Sequence, residues 1–248
     1  MAPSPQIVLY DLKLVDAPGL IWSPNTCKTR YALNYKGIPY KTVWLTYPEV
    51  HSEIPKLTKK DGRPTVPVIV DLLHDSTVVQ DSWEIVKYLE EVYPDTPKLF
   101  NTNSIGAHLF FQDYCTQKLL FAVVFRLVLS NMIDLAGEHK EWFIKTREAF
   151  LGMSIKEFIG DDPTVHAKAL TQNLEPIGKI LKTYPYISGQ QIGWSDIVFT
   201  SSLRMLVAFR PDSFGALVLD DKKAGKQFQE WWNRMDKYMQ LEPPCYSV

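Results

Sequence analysis

The chain has 248 residues, 46% of them hydrophobic, 22% charged and 12% aromatic, with 27 Lys and Arg against 28 Asp and Glu. Such a length points to two compact units. The composition excludes a disordered or fibrous chain, and the charge balance leaves no basic footprint for nucleic acid or a membrane surface. Cys27, Cys115 and Cys245 are odd in number and widely spaced, which fits neither a disulfide framework nor a zinc site and favours a reducing compartment. The opening "MAPSPQIVLYDL" has no basic-then-apolar leader pattern, and no run of about eighteen uninterrupted apolar residues occurs. A soluble, cytoplasmic protein is expected.

In chain order, "QIVLYDL" (6–12) reads as a strand followed by a long loop, "KLVDAPGLIW". Ser23 can cap a helix over 24–36: Pro24 sits where the first helical N–H has no partner, and Gly37 follows the last apolar position. "YKTVWLTY", "TVPVIVD" and "STVVQ" supply three more strands. Pro67 interrupts a β run, so it marks a strand entrance, an edge, or a cis bond in a tight turn. "DSWEIVKYLEEVY" spaces Ile85, Leu89, Val92 and Tyr93 as a helix face behind an Asp81/Glu84 capping box. A small α/β unit over 1–95 therefore precedes the linker "YPDTPKLFNTNS". Beyond it the strand signal disappears, and 104–248 reads as all-helical. Pro176 should bend one of those helices, and Phe228, Trp231, Met235 and Met239 should be core.

No metal-ligand spacing, phosphate loop, dinucleotide fingerprint or nucleophile elbow occurs, so metal, nucleotide and serine-hydrolase chemistry are disfavoured. Three motifs remain, each at an element entrance of the α/β unit: Ser23-Pro24, Val66-Pro67 and Gln80-Asp81-Ser82. In that order they resemble the glutathione S-transferases over the whole chain. "SPNTCKTRYALNYKG", "DGRPTVPVIVD" and "DSWEIVKYLEE", with the long first loop, look most like the fungal β-etherase-related (Fu) class. The resemblance implies a thioredoxin-like N-terminal domain, an all-α C-terminal domain, a homodimer, and glutathione as co-substrate without a metal. The partner molecules it implies are hydrophobic, aromatic, lignin- or wood-derived electrophiles, with conjugation, ether cleavage or peroxide reduction as outcomes. A non-catalytic carrier of aromatic compounds is the alternative.

On this resemblance Ser23 is the catalytic residue. A hydroxyl in the field of a helix N-terminus is placed to stabilise a thiolate by hydrogen bonding. The competing reading is a plain N-cap. Cys27 lies one turn inside the helix and reads as a packing residue. Val66 would pair its backbone with the cysteinyl residue of glutathione beside a cis Pro67, and Asp81 and Ser82 would hold the γ-glutamyl end. His51 and Arg63, with Lys41 behind them, are candidates for the glycyl carboxylate, although each alone reads as a surface residue. Trp22, Phe111, Tyr114, Phe121 and Phe125 are candidates for the electrophile pocket, against the plain alternative of core packing. One departure stands out. Where the family carries a Ser or Thr cap three residues before Asp196, this chain has Gly193; Ser195 could cap in a shifted register, and the local folding element is left open.

Overall fold

The computed structural model describes residues 4–101 and 103–241; Cys245 and the first three residues lie outside that range. The first part runs β1 (Ile7–Leu12), α1 (Pro24–Lys36), β2 (Tyr40–Leu45), α2 (Tyr47–Thr58), β3 (Val68–Asp71), β4 (Thr77–Gln80) and α3 (Ser82–Val92). The sheet order is β2-β1-β3-β4, with β1 parallel to β2 and antiparallel to β3, and β3 antiparallel to β4. A parallel pair needs a crossover, and α1 provides it. Gly37 closes α1 at φ 68°, returning its N–H to the carbonyls of Asn34 and Leu33, a backbone conformation in which a side chain is strained.

Two local features differ from the sequence reading. Residues 47–58, most of which the sequence reading left without an element between two strands, form a helix, so His51 sits on α2. Its two prolines obscure it, but Thr46 and Glu49 make a full capping box, and Val50 and Ile54 are buried one turn apart. At α3 only half of the expected box forms. The Asp81 carboxylate accepts from the N–H groups of Trp83 and Glu84 at 2.8 and 3.4 Å, whereas Glu84 pairs with Lys87 at 2.8 Å.

The helical domain begins with one continuous 30-residue helix, Ile105–Asp134. Within it α4 (Ile105–Tyr114) and α5 (Phe125–Asp134) flank a π-wound stretch, Cys115–Val124. By length and composition this helix could cross a bilayer, but 56% of its most apolar window is buried inside the protein, as in the core helix of a globular domain. Then follow α6 (Lys140–Leu151), α7 (Ile155–Ile159), α8 (Pro163–Thr183), α9 (Trp194–Phe209), α10 (Pro211–Phe214) and α11 (Gly225–Met235). Helix α8 continues through Pro176 as a single element, and Phe228, Trp231, Met235 and Met239 are all buried.

Ile7, Leu9, Leu33, Ile69, Ile85 and Leu89 fill one face of the sheet under α1 and α3. Leu45, Val50, Ile54, Val66 and Val68 fill the other under α2. The largest core belongs to the helical domain and takes in Cys27, Tyr31 and Ala32 of α1. Helix α1 is thus pressed between the two domains, with 11 of its 13 residues buried.

At the start of α9, Ser195 does not cap. Gly193 is the N-cap residue, and Ser195 hydrogen-bonds His108 Nδ1 at 2.8 Å. The acidic half of the local element persists: the buried Asp196 carboxylate accepts from the N–H groups of Ile187, Ser188 and Gly193 and from the Trp231 indole, at 2.8–3.2 Å. The family hydroxyl is missing for steric reasons. A Cβ at Gly193 would stand 2.6 Å from Ser188 Oγ and 3.1 Å from His108 Cε1. Gly193→Ser should therefore lower stability by roughly 1–3 kcal/mol, the usual cost of overpacking, as measured by urea denaturation. If the variant equals or exceeds the parent protein while Gly193→Ala is destabilised, the hydroxyl does cap and the steric account is wrong.

Candidate active site

A cavity of about 350 Å³ opens between the two domains, within the usual range for a small-molecule site. The α/β domain supplies Leu12, Trp22, Ser23, Pro24, Asn25, Tyr47, Val50, His51 and 63–66; the helical domain supplies Leu120, Phe121, Phe125, Met132, Arg147, Phe150 and Met205. The polar lining consists of the Ser23 and Thr65 hydroxyls, the Asn25 amide, His51, the Tyr47 phenol and the guanidiniums of Arg63 and Arg147, and both domains supply aromatic and aliphatic side chains.

Ser23 is 5% exposed and occupies the N-cap position of α1. Its side chain makes no capping hydrogen bond; the cap position is stabilised instead from the backbone, with the Ser23 carbonyl accepting from Cys27 N–H at 2.9 Å and from Thr26 Oγ1 at 3.2 Å. The hydroxyl therefore faces the positive end of a helix without being consumed by it. Arg204 of α9 donates its Nε–H to the Ile21 carbonyl at 2.8 Å, fixing the chain two residues before Ser23. Between them stands Trp22, 3% exposed, whose buried indole N–H has no acceptor among the described residues.

The cationic groups gather at one end of the cavity. The Arg63 guanidinium lies 4.4 Å from the Phe150 ring centre, and that of Arg147 lies 4.9 Å from the Tyr47 ring and 5.0 Å from the Phe143 ring. Neither arginine has an ion pair among the described residues, and no Asp or Glu is among the residues lining the cavity. Desolvation, then the charge of Arg147, pulls the Arg63 pKa below its ordinary value. Desolvation and both arginines likewise lower His51, so its imidazole is neutral at pH 7 and the positive charge here belongs to the two guanidiniums. Burial raises the Tyr47 phenol, against the opposing pull of Arg147.

Of the residues singled out in the sequence, Trp22, Ser23, His51, Arg63, Val66, Phe121 and Phe125 meet at this cavity. Phe111 and Tyr114 do not line it; they stack on each other at 6.2 Å, and the Tyr114 hydroxyl donates to the Asn173 carbonyl at 2.7 Å. The Val66–Pro67 bond is cis, as the resemblance implied, and the Asp81 N–H donates to the Pro67 carbonyl at 3.2 Å, which holds the start of α3, with Ser82, against the cis turn. Lys41 lies on β2, opposite Val8, and is not part of the cavity wall. Cys27 is fully buried, and desolvation pushes its thiol up to about 12, so it is protonated and inert at neutral pH. The sequence reading missed Tyr47, Arg147 and Phe150. For Tyr47 the signal was the capping box that starts α2; for the two α6 residues no local pattern exists, because only tertiary packing brings α6 to this cavity. Among the described residues, no group of three or more His, Cys, Asp or Glu could hold a metal ion.

The βαβ–ββα arrangement with a cis proline facing a helix N-terminus defines a thioredoxin-like domain, here joined to a helical one. The glutathione S-transferase N-terminal domain family matches residues 22–92, and the corresponding C-terminal domain family matches 107–238. The chain belongs to the glutathione S-transferase family, whose members are enzymes of glutathione transfer. It is 28% identical to the glutathione S-transferase-like protein ustS of Aspergillus flavus, over 73% of each chain. Among solved structures, glutathione transferase GSTFuA2 of Phanerochaete chrysosporium is 28% identical with a TM-score of 0.83, covering 96% of this chain and 99% of that one. CsGST63524 of Ceriporiopsis subvermispora, solved in complex with glutathione, is 27% identical with a TM-score of 0.79 over 95% and 98%. These neighbours bear out the fungal Fu-class resemblance.

Behind Ser23, Lys28 is 5% exposed. Its ammonium donates to Asn25 Oδ1 at 3.1 Å; burial pulls its pKa down to about 8, against the opposing charge of Asp81. A lysine depressed in the folded state costs stability wherever both states are protonated, below pH 8. The cost is relieved as pH rises from about 8 toward the ordinary lysine value of about 10.4. Lys28→Met should accordingly raise the melting temperature at pH 7, and its advantage over the parent should shrink by pH 10. A variant less stable at both pH values would mean that the buried charge is fully compensated.

Proposed function

We propose that the protein is a serine-type glutathione transferase in which Ser23 activates the thiol of bound glutathione for attack on hydrophobic, aromatic electrophiles, including lignin- or wood-derived compounds. The observation that carries this reading is the Ser23 hydroxyl: buried at a helix N-terminus, lining the cavity, and without a hydrogen-bond partner of its own among the described residues. It is free to donate to a thiolate. Val66 lies outside the β3 ladder, which begins at Val68, so its backbone is available to pair with a peptide ligand. The start of α3, with Ser82 and Asp81, suits the carboxylate and ammonium of the γ-glutamyl end. Arg63 beside a neutral His51 suits the glycyl carboxylate.

A hydrogen bond to a charged group contributes roughly 1.5–3 kcal/mol. At about 1.36 kcal/mol per pKa unit, Ser23 lowers the thiol by on the order of one to two units, enough to make a useful fraction of thiolate at pH 7 when the free thiol sits near 8.5. Attack on carbon forms a C–S bond while the leaving group departs with its electron pair, giving conjugation or, with an aryl ether, cleavage. Attack on a peroxide oxygen forms an S–O bond as the O–O bond breaks and the alcohol leaves, and a second glutathione thiol then displaces water from the sulfenic acid to give the disulfide, the peroxidase outcome.

Ser23→Ala should reduce kcat/KM about 10- to 100-fold at pH 6.5, with the deficit narrowing as pH rises and the thiol ionises unaided. A pH profile identical to that of the parent would remove Ser23 from the mechanism. The parent protein should also be retained on immobilised glutathione and released by free glutathione; failure to bind under conditions where the fold is intact would overturn the glutathione reading itself.

A further inference from the structure

We infer that Arg147 makes the aromatic side of this cavity selective for electrophiles that carry a carboxylate on the ring. The inference rests on the reading above, in which Arg63 and His51 of the α/β domain serve the glycyl carboxylate of glutathione. Arg147 is then left over. It comes from α6 of the helical domain, the same domain that supplies Phe121, Phe125 and Phe150 to the cavity, so it belongs to the wall against which an aromatic electrophile would lie.

Two observations converge on an anionic ring substituent. First, Arg147 has no carboxylate partner among the described residues, and it stands close enough to Arg63 to depress that group's pKa. Two guanidiniums that repel across a half-dry cavity without a counter-ion are an arrangement that an incoming anion relieves. Second, His51, Arg63, Arg147 and Phe150 also line a neighbouring hollow of about 320 Å³. The cationic group therefore forms the divide between two spaces, with room for an anion on either side. The planar guanidinium fork matches a carboxylate bidentately, and the rings around it accommodate the arene by stacking.

The test compares para-chloro-dinitrobenzoate with its methyl ester, which share the reacting ring and differ in charge and by one ester methyl. In each the glutathione thiolate forms a C–S bond at the chlorinated carbon, and chloride leaves with the electron pair, so no oxidant or reductant enters. The quantity read is the acid-to-ester ratio of kcat/KM, and its change between parent and variant cancels the intrinsic reactivity of the two compounds. In Arg147→Met the ratio should fall about tenfold or more, and in Arg147→Lys, which keeps the charge and loses the fork, it should fall less. An unchanged ratio overturns the proposal. So does a rise in the KM for glutathione by the same factor with both electrophiles, because Arg147 would then hold the glycyl carboxylate. If neither compound is turned over, the transferase reading fails separately. Calorimetric titration of dinitrobenzoate without glutathione then decides the proposal: about tenfold weaker binding in Arg147→Met sustains it, and equal binding in parent and variant refutes it.

Discussion

Everything at the site hangs on how α1 is held, and a single buried guanidinium does most of the holding. Arg30, wholly buried, donates to Asp11 Oδ2 at 2.8 Å, to Thr42 Oγ1 at 3.1 Å, to the Tyr40 hydroxyl at 3.2 Å and to the Leu241 carbonyl at 2.7 Å. Its partners belong to β1, β2 and the last described residue of the chain. Burial alone would pull the Arg30 pKa down, but Asp11 and Tyr40 more than restore it, so the group is charged and paired. Removing one partner of such a pair costs roughly 3–5 kcal/mol, whereas replacing the whole pair by apolar groups is often neutral. Its consequence here is geometric: it sets the position of α1 on the sheet, and with it the position of Ser23.

The same helix is fastened on its other sides by polar groups that an ordinary amphipathic helix would expose. Asn34 donates to the carbonyls of Tyr238 and Gln240. Lys36 pairs with Glu90 at 2.8 Å and reaches the Pro97 carbonyl, while Glu90 in turn accepts from the Leu99 N–H, so α1, α3 and the linker are tied together. A helix buried on all sides can keep Arg, Asn and Lys only where each finds partners. Lys28 is the exception, paired to a neutral amide and depressed to about 8. Stability is given up just behind the residue where the proposed chemistry takes place, the usual pattern for a functional site.

The sequence was readable where the signals are local. Pro24 at the first turn of α1, Gly37 at its end, and the strands formed as their residue types dictate, and two of the three motifs, through Ser23, Pro24 and Val66, lie on one side of the cavity, whereas Gln80, Asp81 and Ser82 do not line it. Helix α2 was hidden because Pro48 and Pro55 outweighed a capping box that was present in the letters. The distant wall was harder. Helical spacing identified an aromatic stripe over 111–125 but could not say which part of it faces the cavity, and the π-wound stretch from Cys115 to Val124 changes the phase of the side chains between Tyr114 and Phe125. Arg147 and Phe150 belong to a helix separated from Ser23 by more than a hundred residues of chain, so their meeting is a product of packing and leaves no trace in spacing. Gly193 was legible as a departure, but its reason, the space taken by Ser188 and His108, is purely tertiary.

The rival reading of Ser23, a helix cap and nothing more, can be weighed against the other caps in the molecule. Thr46, Asp81, Ser154 and Asp162 each begin a helix, and each turns its side-chain oxygen onto the free N–H groups of the first turn. Ser104 does not, but its hydroxyl is occupied by the Asn101 carbonyl at 2.8 Å. Ser23 begins a helix too, is more buried than any of those caps, and still turns its hydroxyl to no protein group among the described residues. The Ser23 hydroxyl is not one of the sealed, unpaired groups of the interior; it opens onto the cavity, where a ligand or solvent can pair with it in place of the first turn of α1. The first N–H groups of α1 and the Ser23 hydroxyl are instead left facing the same space, beside two guanidiniums that also lack a counter-ion. Helix terminus, hydroxyl and arginines are each incomplete in the same sense: every one of them is a donor or a positive charge awaiting an anion.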